Sequence, residues 1–153
     1  MKEITGKLVA SGMKFAIVAS RFNSFLVEQL VKGAADAFVR HGGNEADLTL
    51  VRVPGACESP VVAAKLARGG GFDAVVVLGA VIQGATPHAA LINETTARAF
   101  AELSLETGTP VINGIVSADN LEQAVERCGT KQGNKGFAAV QAAVEAVDVL
   151  RQV

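Results

Sequence analysis

The hydrophobic residues of this chain fall into four short apolar runs, separated by longer stretches in which polar and apolar residues are mixed. The runs are Phe15–Ser20, Leu48–Val53, 74–79 and 111–116. Mostly continuous apolar runs of this length are typical of parallel strands that are buried on both faces. We therefore predict four such strands in one sheet.

The stretches between the runs, and the stretch after the last one, carry apolar residues at helical spacing. Helices are predicted at 24–41, 60–68, 87–106, 121–128 and 136–151. Strands that alternate with helices indicate right-handed βαβ units. The predicted fold is one α/β domain over residues 1–153, a three-layer doubly wound sheet of four parallel strands in flavodoxin-like order with helices on both faces.

The segment 4–9 before the first run is only weakly strand-like. It could pair with an edge of its own sheet or with the sheet of a neighbouring subunit. The sequence leaves both possibilities open.

Composition narrows the class of protein. Half of the 153 residues are hydrophobic and the formal net charge is −1, so we expect a sizeable core and no nucleic-acid partner. The apolar run 74–82 is far shorter than the roughly 20 residues that span a bilayer, and the amino terminus lacks a signal-peptide pattern. Cys57 and Cys128 have no CxxC spacing. We expect free thiols, no metal and a cytoplasmic location.

The carboxyl ends of the predicted strands are the candidate site, because ligands of open parallel sheets bind there. Each end carries residues that are unusual for a plain turn. They are 20–23, 54–58, 78–95 and, on or after the fourth strand, Asn113 and 117–119.

Gly84, Ala85 and Thr86 lie directly before a predicted helix that begins at Pro87. Unpaired N–H groups and the helix dipole favour an anion at such a point, although an ordinary capped helix has the same signature. His88 lies in the first turn, where the dipole disfavours a charged imidazolium. It is a candidate proton acceptor, and a packed or solvated side chain is the alternative.

Two side chains and one loop also have more than one interpretation. Phe22 could stack on a flat ligand or pack against the next helix. Glu58 could accept hydrogen bonds from ligand hydroxyls or lie in solvent. The segment 126–136 gathers Arg127 and Lys135 around glycines and suits a phosphate, yet it matches neither the Walker A nor the GxGxxG pattern.

With these residues collected, nearly the whole chain resembles the 6,7-dimethyl-8-ribityllumazine synthase family of riboflavin biosynthesis. The motifs are IVASRFN, VRVPGACESP, VIQGATPH, SLETGTPVINGI and NLEQAVERCGTKQGNKG, in this order. The resemblance implies condensation of 5-amino-6-(D-ribitylamino)uracil with 3,4-dihydroxy-2-butanone 4-phosphate, which releases phosphate and water. It implies no cofactor and no metal.

The resemblance also implies a uracil-binding region. Phe22 would stack on the uracil, Glu58 would bind the ribityl hydroxyls, and Asn113 would line the same pocket. The remaining contacts to the heterocycle would come from Ala56, Cys57, Ala80, Val81 and Ile82.

At the phosphate end, the resemblance implies that Ala85 and Thr86 hold the phosphate. Arg127 of the adjoining subunit would neutralise it. His88 would transfer protons, with Lys135 close by.

Several residues depart from the common family pattern. The family often has aromatic residues in place of Cys57, Ala89 and Asn113, an arginine in place of Gln83 and an aliphatic residue in place of Ser59. These changes predict a wider and more polar pocket.

The resemblance further implies a homo-oligomer of at least a pentamer, and a closed shell of about 60 subunits because the loop before the last helix is not lengthened. Riboflavin synthase is a candidate downstream partner. The alternative function is a shell-forming scaffold or ligand-binding relative with weak or no catalysis. A flavodoxin-like flavin-binding protein is less favoured, because aromatic residues are scarce.

Overall fold

The computed structural model describes residues 1–153 and contains one sheet of four parallel strands. The strands are β1 (Phe15–Ser20), β2 (Leu48–Val53), β3 (Ala74–Ile82) and β4 (Val111–Ala118), in the order β2-β1-β3-β4. The helices are α1 (Ser24–Arg40), α2 (Ser59–Arg68), α3 (His88–Thr107), α4 (Leu121–Arg127) and α5 (Lys135–Gln152). The predicted three-layer α/β fold and strand order are confirmed.

Two apolar clusters cover the sheet, one on each face. On one face, α1 and α5 pack against β1 and β3, with Phe15 and Phe38 in ring contact at a centroid distance of 5.0 Å. On the other face, α2 packs on β1 and β3 and α3 packs on β3 and β4, around Phe100 and Val77. All six residues of β1 are buried, as expected of a strand at the centre of such a sheet.

The prediction that all four strands are buried on both faces is wrong for β2. Thr49, Leu50 and Arg52 are exposed, and only Val53 is fully buried. The reason is position, because β2 is an edge strand and the helices cover the centre of the sheet. The apolar content of the run did not reveal this.

Strand β3 runs three residues beyond the predicted end at Gly79. The extension exists because 80–82 pair with 116–118 at the end of β4. Gly79 does not interrupt the strand. A Cβ at this position would lie 3.0 Å from the Ser20 hydroxyl, so glycine allows β1 and β3 to approach closely here.

The glycine-rich segment before α5 is not an open loop. It forms an antiparallel hairpin of β5 (Cys128–Thr130) and β6 (Gly133–Asn134). Asn134 accepts hydrogen bonds from the N–H groups of Gly136 and Phe137 and so caps α5.

The segment 4–9 forms no strand within one chain. It lies along the carboxyl-terminal half of α5, where the Lys7 N–H donates to the Asp148 carboxylate at 2.9 Å and the Gln152 amide donates to the Thr5 carbonyl at 3.1 Å. Pairing with an edge of its own sheet is therefore excluded in this structure. No helix has both the length and the apolar character needed to cross a membrane.

Candidate active site

A cavity of about 440 Å³ lies at the carboxyl ends of β1 and β3, beside the turn that follows β2. It brings together most of the residues that the sequence analysis selected. They are Phe22, Ala56, Cys57, Glu58, Ala80, Val81, Ile82, Thr86 and His88. The position agrees with the rule for ligands in open parallel sheets.

The turn after β1 forms the first wall and is fixed through its backbone. The Arg21 N–H donates to the Val53 carbonyl at 2.8 Å, and the Phe22 N–H donates to the Pro54 carbonyl at 3.1 Å. These bonds continue the pairing of β1 with β2 beyond the sheet. The Phe22 ring remains 72% exposed. It offers an apolar face, held by an ordered backbone, on which a flat ligand can stack.

The turn after β2 forms the second wall. Residues 56–58 make one turn of 3-10 helix, and the buried Ser59 hydroxyl donates to the Ala56 carbonyl at 2.6 Å. The Glu58 carboxylate lies over Gly55, where a Cβ would be only 3.0 Å from Oε2. Cys57 is exposed on the same turn. This wall offers one carboxylate and one thiol to a ligand.

The third wall is the start of α3. The helix begins at His88, one residue later than predicted, and no side chain caps it. Thr86, which precedes the N-cap Pro87, makes no capping bond, so its hydroxyl is available at the cavity. The N–H groups of the first helical turn, which have no intrahelical partners, are available as well. They make this wall attractive to an anion.

Four predicted residues lie outside the lining of this cavity in the single chain. Arg127 and Lys135 line a separate cavity of about 420 Å³ beside the β5–β6 hairpin. Asn113 is exposed on the edge strand β4, where its Oδ1 accepts from the Ile115 N–H at 3.0 Å. Ala85 is exposed, although its neighbours Gly84 and Thr86 line the main cavity. The main cavity of one chain is therefore lined by no lysine or arginine.

Asn23 and Ile92 also line the cavity; they fall within the candidate segments 20–23 and 78–95, but the sequence analysis assigned neither of them a role. Asn23 has a φ of 56°, in the left-handed region, and its Nδ2 donates to the Ala80 carbonyl at 2.9 Å. Asparagine is favoured at such positions, so its place between a strand and a helix was an available signal. Ile92 is one turn of α3 beyond His88, and helical spacing alone would have found it.

The two cysteines are free and lie in different environments. Cys57 is exposed at the cavity, whereas Cys128 is buried at the start of β5. Burial raises the pKa of the Cys128 thiol from 9.0 to about 11. Cys128 therefore remains a neutral packing residue at ordinary pH.

Comparison with known proteins identifies the family of the chain. The sequence model of a family described as 6,7-dimethyl-8-ribityllumazine synthase matches residues 12–151. A protein of that name from Aquifex aeolicus (strain VF5) is 51% identical over 153 residues, which cover all of this chain and 99% of the relative. One from Nitratidesulfovibrio vulgaris (strain DP4) is 49% identical and is covered to 98%. The chain belongs to the 6,7-dimethyl-8-ribityllumazine synthase family.

Proposed function

We propose that this protein condenses 5-amino-6-(D-ribitylamino)uracil with 3,4-dihydroxy-2-butanone 4-phosphate to give 6,7-dimethyl-8-ribityllumazine, phosphate and water. One observation carries the proposal. In a chain of this family, a single cavity joins the exposed Phe22 ring, the Glu58 carboxylate, His88 and the uncapped start of α3. The cavity therefore combines a stacking surface, an acceptor for hydroxyls, a proton carrier and an anion-binding end.

The ribitylaminouracil binds between the first two walls, which are the turns after β1 and β2. The Phe22 ring stacks on the heterocycle, and the Glu58 carboxylate accepts hydrogen bonds from the ribityl hydroxyls. Main-chain groups hold the edges of the ring. These groups belong to Ala56, Cys57, Ala80, Val81 and Ile82. Asn113 contributes from the edge strand of a second copy, because it lies outside the cavity of its own chain.

The phosphate end belongs at the start of α3, with backbone groups at Ala85 and the Thr86 hydroxyl. A phosphate dianion bound there needs a full positive charge, and one chain supplies none to this cavity. Arg127 and Lys135 face their own cavity beside the hairpin. A second copy that presents this cationic surface completes the site.

The reaction then proceeds by proton transfers that the His88 imidazole can perform. The uracil amine attacks the ketone carbon, and loss of water gives an imine. Elimination breaks the C–O bond to phosphate, and the phosphate leaves into the positive potential of α3 and Arg127. The ribitylamino nitrogen attacks the carbonyl that results, and loss of a second water closes the ring. Holding both substrates in one cavity supplies much of the remaining acceleration.

We also propose a homo-oligomer, at least a pentamer and in its closed form a shell of about 60 subunits. The incomplete cavity supports assembly, and so do the large exposed apolar residues Val61, Leu91 and Leu105, which a monomer would leave in water. The segment 4–9, which pairs with no strand of its own chain, is available to a neighbour's sheet. Riboflavin synthase is the proposed consumer of the product, and the cytoplasm is the proposed location, in keeping with two unpaired thiols.

A direct assay tests the proposed reaction. Purified protein is mixed with both substrates, the absorbance and fluorescence of the lumazine product are followed, and released phosphate is measured separately. We expect product and phosphate to form together at a rate well above that of the same mixture without protein. A rate equal to the spontaneous reaction would contradict the proposal and favour the non-catalytic shell or ligand-binding relative.

A further inference from the structure

Gln83, the first residue after β3, is held at both its main chain and its side chain. Its N–H donates to the Ala118 carbonyl at 2.8 Å and so fixes it to the end of β4. Its side-chain Nε2 then turns onto the loop that follows and donates to the carbonyls of Gly84 at 3.1 Å and Thr86 at 2.9 Å. Both partners are carbonyl oxygens, so the donor can only be the amide nitrogen. These are the only side-chain hydrogen bonds that segment 84–87 receives.

These two bonds determine the direction of the peptide groups in the loop. The peptide bond between Gly84 and Ala85 is trans, so the Gly84 C=O and the Ala85 N–H point in opposite directions within the peptide plane. Holding that carbonyl against Gln83 turns the Ala85 N–H away from Gln83. The Thr86 carbonyl belongs to the peptide bond with Pro87, which has no N–H to offer. Without the hydrogen bond from Gln83, this peptide group could offer a bound anion only its carbonyl oxygen, which repels negative charge.

Gln83 holds the loop without being part of the cavity lining. Gly84 and Thr86 line the cavity, whereas Gln83 does not. Both carbonyl oxygens are therefore directed at a side chain that does not line the cavity. Gly84 has no atom within 4 Å of where its Cβ would lie, so neighbouring side chains do not restrain this flexible residue.

We infer that Gln83 is a positioning residue for the phosphate end of the butanone phosphate. Gln83 acts through the loop at Gly84 and Thr86. Its side chain binds the two carbonyl oxygens and so leaves the Ala85 N–H free to donate to the phosphate. This inference rests on the proposed function. It assigns a role to a side chain that makes no contact with the cavity itself.

The test compares Gln83→Met with the control Gln29→Met. Methionine has nearly the length of glutamine but no N–H, and the Gln29 side chain is exposed and makes no hydrogen bond. We expect Gln83→Met to raise the KM for butanone phosphate and the inhibition constant of inorganic phosphate by about 3- to 10-fold, the range for losing one or two hydrogen bonds. The kcat and the KM for the uracil should stay within about twofold of wild type. Gln83→Arg keeps donors of similar reach and should restore the KM.

Equal values for wild type and Gln83→Met, or a loss of kcat with no change in either phosphate constant, would overturn the inference. Calorimetric titration with inorganic phosphate separates this failure from failure of the proposed reaction. If wild type binds phosphate and Gln83→Met binds it several-fold more weakly, the inference holds even for a protein that turns nothing over. If wild type does not bind phosphate, or both bind equally, the inference is wrong whatever the activity.

Discussion

The Asn23 side chain donates a hydrogen bond from Nδ2 to the Ala80 carbonyl at 2.9 Å and so joins the first wall of the cavity to β3. Asn23 belongs to the turn after β1, and Ala80 belongs to the extended end of β3. Asn23 is also the only residue other than glycine with a positive φ. One asparagine thus tolerates the strained backbone of the turn and fixes that turn to the central strand.

Replacing this donor should destabilise the protein. Asn23→Asp keeps the size and the tolerance for a left-handed backbone, but it sets a carboxylate oxygen against the Ala80 carbonyl. Asn23 is the N-cap of α1, where an acidic residue is ordinarily favourable, so cap preference alone predicts the opposite sign. We expect a loss of about 1–3 kcal/mol in the free energy of unfolding.

The matched control for that change is Asn44→Asp. Asn44 also precedes a helical turn, but its Oδ1 accepts from the Ala46 N–H, a bond that aspartate preserves. Its effect should stay within about 0.5 kcal/mol in denaturant unfolding at matched protein concentration. Equal effects of the two substitutions would show that the Asn23–Ala80 bond contributes nothing.

Close packing of α5 on α1 gives a second prediction. A Cβ at Gly136 would overlap the backbone carbonyl of Leu30, which cannot move aside as a side chain could. Gly136→Ala should therefore cost about 2–4 kcal/mol, although alanine favours helix formation. Gly71→Ala, in open space, should change the unfolding free energy by less than about 1 kcal/mol. Similar midpoints for the two variants would contradict the packing described above.

The fold could be predicted well because each apolar run forms a strand of the sheet and the stretches with helical spacing form the helices. The bounds of β1 and β2 were predicted to the residue, since each run ends at a polar residue or a proline. The apolar run by itself suggested burial on both faces of β2, although the predicted flavodoxin-like order places this strand at an edge. Gly79 was taken as the end of β3, since its contact with Ser20 belongs to the three-dimensional structure.

For the site, the rule that ligands bind at the carboxyl ends of parallel strands led to the segments that follow the strands, and Phe22, Glu58 and His88 of these segments line one cavity. The resemblance implied that Arg127 comes from an adjoining subunit, but nothing in the sequence showed that Arg127 and Lys135 line a cavity of their own. Their distance from His88 depends on the hairpin before α5, which the loop prediction missed. The role of Gln83 was likewise invisible, because it depends on side-chain direction.

The two thiols should differ sharply in reactivity. At pH 8, iodoacetamide should label Cys57 at the cavity, and bound substrate should protect it. Cys128 is buried, and its raised pKa of about 11 leaves it almost wholly protonated. As the pH rises toward 11, the thiolate fraction of Cys128 and its labelling rate should rise about tenfold per pH unit. Peptide mass spectrometry measures both sites, and faster labelling of Cys128 than of Cys57 at pH 8 would contradict the burial.

Removing the imidazole at the start of α3 should slow the reaction without abolishing it. General acid–base groups contribute roughly 10²–10⁴-fold, and imine formation between an amine and a ketone is intrinsically feasible. We therefore expect His88→Ala to lower kcat by about 100-fold or less, with little change in the KM for the uracil. Steady-state kinetics with both substrates varied measures this. An unchanged kcat would remove His88 from the proton transfers.

The central claim is that one chain supplies the cavity and a second copy supplies Arg127. Complementation between His88→Ala and Arg127→Ala tests it most directly. Each variant is unfolded, the two are mixed in equal amounts and reassembled, and co-assembly is verified by mass. If sites are shared, about one quarter of them combine an intact His88 with an intact Arg127, and activity rises toward one quarter of wild type. If each site lies within one chain, every site carries either His88→Ala or Arg127→Ala, and mixing restores no activity. Activity no higher than the mean of the two separate variants would then contradict the account.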